Sequence, residues 1–83
     1  MDHVLEVRKY DKQLTKNWKV LKSTASEAEF SESLRIAEDC IENLKRIAQL
    51  VDPYVDLSGI YDYEKELEEN RDSWYEAVKE RAK

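Results

Sequence analysis

Along three stretches of the chain apolar side chains recur every three or four residues, a spacing that puts them on one face of a helix in each. The first series is Val4, Val7, Tyr10, Leu14, Trp18 and Leu21, which predicts a helix over residues 3–23. Three hydroxyl residues in Ser23-Thr24-Ala25-Ser26 then break the pattern, because such side chains compete for backbone hydrogen bonds and favour helix ends over interiors. Ser26 followed by Glu29 forms a capping box and predicts that a second helix starts there, over residues 27–52.

Within the second helix Phe30, Leu34, Ala37, Ile41, Leu44, Ala48 and Val51 step alternately by four and three, a heptad seam that Ile36, Cys40 and Ile47 widen. These ten positions cover an arc of roughly 160° at 100° per residue. Arg35, Glu38, Asp39, Glu42, Lys45, Arg46 and Gln49 fill the opposite side. So wide a stripe touches two neighbours, which makes this the central helix. Asp52-Pro53 ends it, since the residue before proline is pushed out of the helical region.

Residues 54–62 read as a linker in which Ser58 or Asp62 caps the third helix, expected over residues 60–82. Its inward positions are Ile60 or Tyr63, Leu67, Trp74 and Val78, with Asn70 and Arg71 as a polar gap between them. Three helices of similar length joined by short connections make an all-α, antiparallel three-helix bundle the simplest solution, as a single domain of residues 1–83. The structural alternative is a homodimer of helical hairpins with the second-helix seam at the subunit interface. A starting methionine and helices that fill nearly all of the chain suggest a complete small gene product.

Composition narrows the function. An 83-residue chain leaves little room for an enclosed active site beside the core that stabilises it, so a non-catalytic role is expected. The single histidine, His3, cannot build a triad or a multi-histidine metal site, and Cys40 falls in the apolar arc of the second helix, as a buried inert thiol would. The carboxylate pairs Glu38/Glu42 and Glu64/Glu68 read as solvated helix faces, and residues 56–62 lack the acid spacing of a calcium loop. No catalytic residue, cofactor or metal is therefore expected. One cysteine permits no intramolecular disulfide, and neither a signal peptide nor a membrane-length apolar run is present, so the expected location is the cytoplasm.

Charge is unevenly spread over the net −5. Residues 1–25 carry +3, while residues 26–52 and 53–83 carry −4 each. The helical wheel gathers Arg8, Lys9, Lys12, Lys16 and Lys19 on one outer face of the first helix, with Leu5 and Val20 on the same side. Glu66, Glu69, Asp72, Glu76 and Glu80 share a face of the third. Complementary faces of this kind are expected chiefly to set the packing order of the bundle. Trp18 and Trp74 are expected core anchors.

The leading functional expectation is a protein-interaction domain: a regulator, inhibitor or adaptor that binds one protein partner or itself as a homodimer. Phage or mobile-element regulators fit that description. Tyrosines crowd the linker beside small polar residues, a composition suited to recognition, which makes Tyr54, Asp56, Tyr61, Asp62 and Tyr75 the candidate partner-binding residues. Two alternatives use the charged faces. Lys9, Lys12, Lys16 and Lys19 would meet nucleic acid, a reading that the net charge and the scarcity of arginine disfavour. Glu66, Glu69, Asp72, Glu76 and Glu80 would imitate a nucleic-acid backbone. Arg71 with Asn70 is expected to form a structural ion pair with a neighbouring helix.

Overall fold

A computed structural model of the chain describes residues 3–51 and 58–83, with side chains described for 5–50 and 58–83, and it is all-helical. Helices α1 (His3–Ser23), α2 (Glu27–Val51) and α3 (Ser58–Ala82) follow one another in an antiparallel three-helix bundle.

The turn between α1 and α2 is built by the hydroxyls that the sequence places there. The Thr24 amide closes α1 by donating to the Val20 carbonyl at 2.9 Å. The Glu29 amide then donates to Ser26 Oγ at 3.2 Å and the Phe30 amide to the Ser26 carbonyl at 2.9 Å, so Ser26 is the N-cap. Only half of the expected capping box forms, because the Ser26 amide is already committed to Thr24 Oγ1 at 3.1 Å. Thr24 is itself buried, and its carbonyl accepts from Arg81 Nε at 2.8 Å, which ties the turn to the end of α3.

Helix α3 begins at Ser58, two residues before the expected start, so Gly59, Tyr61 and Asp62 belong to a helix rather than to a linker. Ile60 and Tyr63 pack against the core and so offset the entropy that Gly59 loses on ordering. The Asp52-Pro53 stop and the linker residues Tyr54 and Asp56 lie outside the described residues.

The core follows the heptad reading closely. Phe30, Ala37, Cys40, Ile41, Leu44 and Ile47 of α2 are buried, as are Leu14, Trp18 and Leu21 of α1. Leu34, Ile36 and Ala48 are half-buried on the flanks of the same stripe. Each fully buried side chain of leucine size contributes about 1.5–3 kcal/mol. From α3 only Leu67 and Val78 are buried.

Helix α2 is the centre, with its two neighbours on the two flanks of its buried arc. Cys40 faces Gln13 of α1, whereas Glu38 and Lys45 face Arg71 and Glu64 of α3, positions roughly 150° apart around the α2 axis. The molecule measures 46 × 22 × 13 Å. That width exceeds the roughly 15 Å spanned by three helices in mutual contact, so α1 and α3 are splayed. Trp18 bridges them: its ring meets Tyr63 at 4.9 Å and Trp74 at 5.4 Å, both edge to face. From Phe30 to Ile47 the α2 seam is thus covered within one chain, and among the described residues it leaves the hairpin-dimer alternative no open seam there. No described helix is long and apolar enough to cross a membrane.

Candidate functional site

The outer face of α1 is set by its inner one. Leu14 and Leu21 are buried against α2, and a residue half a turn away points directly outward. Arg8, Lys9, Lys12, Lys16 and Lys19 occupy that outward arc, and all five are exposed. Among the described residues none of them lies within 4 Å of a carboxylate; the only α1 cation so paired is Lys22, which meets Glu66 of α3 at 3.1 Å. Leu5, 62% exposed, sits at one end of this stripe, while Val20 at the other is half-buried.

The acidic face of α3 is different in kind. Glu66 is turned toward α1 by Lys22, and Glu76 and Glu80 pair with Lys79 and Lys83 at 3.5 and 3.2 Å. Glu69 and Asp72 remain as exposed carboxylates with no cation in reach among the described residues. The two charged faces therefore do not meet inside the bundle, and Lys22–Glu66 is the described ion pair that joins α1 to α3. Apart from Lys22–Glu66, α1 and α3 meet through Trp18, Tyr63 and Trp74 rather than through these faces.

The tyrosine group is dispersed. Tyr75 lies half-buried in the α2–α3 seam, its ring 5.7 Å from Phe30 and its hydroxyl donating to Glu27 Oε1 at 2.9 Å. That hydrogen bond, with the neighbouring Glu27 charge, raises the Tyr75 pKa above its ordinary value. Lys79 Nζ stands 4.6 Å above the same ring. Tyr61 is 49% exposed with Lys45 Nζ 5.4 Å from its ring centre, and Asp62 is exposed one residue on. Tyr61 and Asp62 thus remain on the surface, whereas Tyr75 holds two helices together.

Between α2 and α3 an open groove of about 290 Å³ brings together two carboxylate pairs that are far apart in sequence: Glu38 and Glu42 line one wall, Glu64 and Glu68 the other. Ile41 and Leu67 form its floor. Arg71 crosses it to pair with Glu38, and Lys45 pairs with Glu64, so half of the rim is neutralised. The Glu64 hydrogen bond raises the Lys45 pKa above its ordinary value. Arg71 makes the expected interhelical ion pair, but at a half-exposed position, and Asn70 bonds its own helix through the Glu66 carbonyl at 2.8 Å. Among the described residues no three His, Cys, Asp or Glu side chains converge as metal ligands.

Cys40 is 1% exposed, with Sγ 3.7 Å from Gln13 Oε1. Burial, and then the nearby Asp39 charge, raise its pKa and so favour the protonated thiol. The pairing of the two glutamate pairs across the groove and the engagement of Tyr75 by Glu27 depend on how α3 is docked on α2. Helical spacing within one element carries no signal of either.

No known protein family, curated protein or solved structure matches the chain.

Proposed function

We propose that the chain is a small non-catalytic protein-interaction module, a regulator or adaptor that binds one acidic protein partner along the outer face of α1. The observation that carries this reading is the contrast in pairing. Among the described residues, five of the eight Lys and Arg residues beyond position 25 lie within ion-pair distance of a carboxylate, but none of Arg8, Lys9, Lys12, Lys16 and Lys19 does. A row of unpaired cations on one straight helix attracts an acidic surface, speeds its encounter and fixes its register. Individual exposed pairs contribute at most about 1 kcal/mol, so affinity would rest on several acting together. Tyr61 and Asp62 are a second exposed surface for the same role. The cytoplasm is the proposed location, in keeping with a lone buried thiol.

Nucleic acid is the competing ligand for this face. The test is affinity capture with the wild type and a Lys12→Glu, Lys16→Glu, Lys19→Glu variant, each with and without nuclease, followed by rebinding of the purified captured protein. One acidic protein that is retained after nuclease treatment, rebinds directly and is lost in the variant is the expected result. Material that disappears with nuclease assigns the face to nucleic acid instead. A partner held equally well by the variant overturns the α1 assignment. The acidic-mimic reading of α3 has less support, because Glu66, Glu76 and Glu80 already pair within the chain.

A further inference from the structure

The bundle carries opposite charges on two separate outward edges, one on α1 and one on α3. α1 and α3 both pack on α2; the cations of α1 lie on its exposed arc, across the helix from the buried Leu14 and Leu21, and Asp62, Glu69, Asp72, Glu76 and Glu80 lie on the exposed arc of α3, across from the buried Leu67 and Val78. One long edge is therefore basic and the other acidic.

The two edges also match in pattern. Lys9, Lys12, Lys16 and Lys19 step by three, four and three residues, spanning about 15 Å of helix. Glu69, Asp72, Glu76 and Glu80 step by three, four and four. Two helices laid side by side present such rows to each other at the same rise per residue, so successive cations meet successive carboxylates. Glu76 and Glu80 are held only by exposed i, i+3 partners, Lys79 and Lys83, which exchange readily for a neighbour's cations.

From this complementarity we infer that the occupant of the α1 face is a second copy of the chain, docked with its α3 edge against the basic edge of the first. The inference rests on the reading of α1 as a protein-docking face and names its partner. Such a contact is heterologous: each copy uses one edge for the preceding neighbour and the other for the next, which extends the helical layer into a ring or a short open array. Assembly consumes the unpaired charge on both edges. Its salt dependence is steep, because every contact in the row is solvent-exposed.

Sedimentation velocity over a range of protein concentrations tests this with two full-length variants: a basic-edge reversal (Lys9→Glu, Lys12→Glu, Lys16→Glu, Lys19→Glu) and an acidic-edge reversal (Glu69→Lys, Asp72→Lys, Glu76→Lys, Glu80→Lys). Circular dichroism checks that both stay helical. The wild type is expected to associate at low salt and to dissociate at high salt. Each variant alone should be monomeric, and their equimolar mixture should associate again, because it restores a basic edge facing an acidic one. A wild type that stays monomeric at low salt, or folded variants that do not associate on mixing, overturn the inference. Binding of poly-L-glutamate and of duplex DNA to the wild type separates the two levels. A monomer that binds poly-L-glutamate through the α1 cations refutes self-docking alone. A monomer that binds neither, or that prefers DNA, refutes the protein-docking reading as well.

Discussion

The seam between α1 and α2 and the seam between α2 and α3 are built from different materials. The first is closed by apolar side chains from both helices, with Leu14, Leu21, Ala37 and Cys40 at 1% exposure or less. The second has two buried side chains from α3, Leu67 and Val78, and is otherwise stitched by Lys45–Glu64, Arg71–Glu38 and Tyr75–Glu27 around an open groove. Apolar burial stabilises by kcal/mol per side chain, whereas exposed ion pairs contribute fractions of one. The α1–α2 hairpin should therefore be the stable unit and α3 the layer that opens first.

Cutting into each seam gives the largest effects. Leu21→Ala removes a side chain with no exposed surface and is expected to cost about 2–5 kcal/mol, a large share of the stability of a domain this size. Chemical denaturation followed by circular dichroism measures it. Leu67→Ala should cost about 2 kcal/mol, at the lower end of the same range, because Leu67 floors a groove already open to water. If Leu67→Ala proves the costlier of the two, the contrast between the seams is wrong. Native-state hydrogen exchange gives an independent check: amides of α3 should exchange faster than those in the middle of α2, and equal protection in both would dissolve the distinction.

How far the sequence anticipates the molecule follows the same division. The α2 stripe from Phe30 to Ile47 is legible because a single helix contains the whole period, and burial follows the period directly. The Ser26 cap is legible for the same local reason, yet its second half is not, since Thr24 takes the Ser26 amide through a turn geometry that no spacing rule encodes. Tyr75 looks like a surface residue by helical phase, because its partner Glu27 lies 48 residues away and is supplied only by docking. The charged faces are readable as faces, but their failure to meet depends on the splay of α1 from α3. Trp18, edge-on to Tyr63 and Trp74, is where the two helices nonetheless touch.

Smaller changes sharpen the weaker seam. Gly59 lies in the first turn of α3 with no positive φ, and a methyl group added there meets nothing within 4 Å. Gly59→Ala should therefore stabilise α3 by about 0.4–1 kcal/mol by limiting the unfolded chain, visible as slower exchange of α3 amides and a higher denaturation midpoint. Arg71→Gln removes the exposed pair to Glu38 and should cost less than about 1 kcal/mol, and less still at high salt. A loss of several kcal/mol would mean that the groove rim, rather than Leu67 and Val78, holds α3.

The smallest effect is a pH dependence specific to this seam. Lys45 has its pKa raised above 10.5 by the hydrogen bond to Glu64, and Tyr75 has its pKa raised above 10.0 by the hydrogen bond to Glu27. In both cases the folded chain holds the proton more tightly than the unfolded chain does. Their contribution is therefore complete well below pH 10.0, where both groups are protonated in either state, and is lost as the pH rises through the folded-state values. Thermal melts should accordingly be insensitive to these two groups near neutrality and show a decline above about pH 10. The comparison that isolates the seam is with a Lys45→Met, Tyr75→Phe variant. Its melting temperature should fall less steeply over the alkaline limb than that of the wild type. Parallel curves would show that neither proton is held by the contact between α2 and α3.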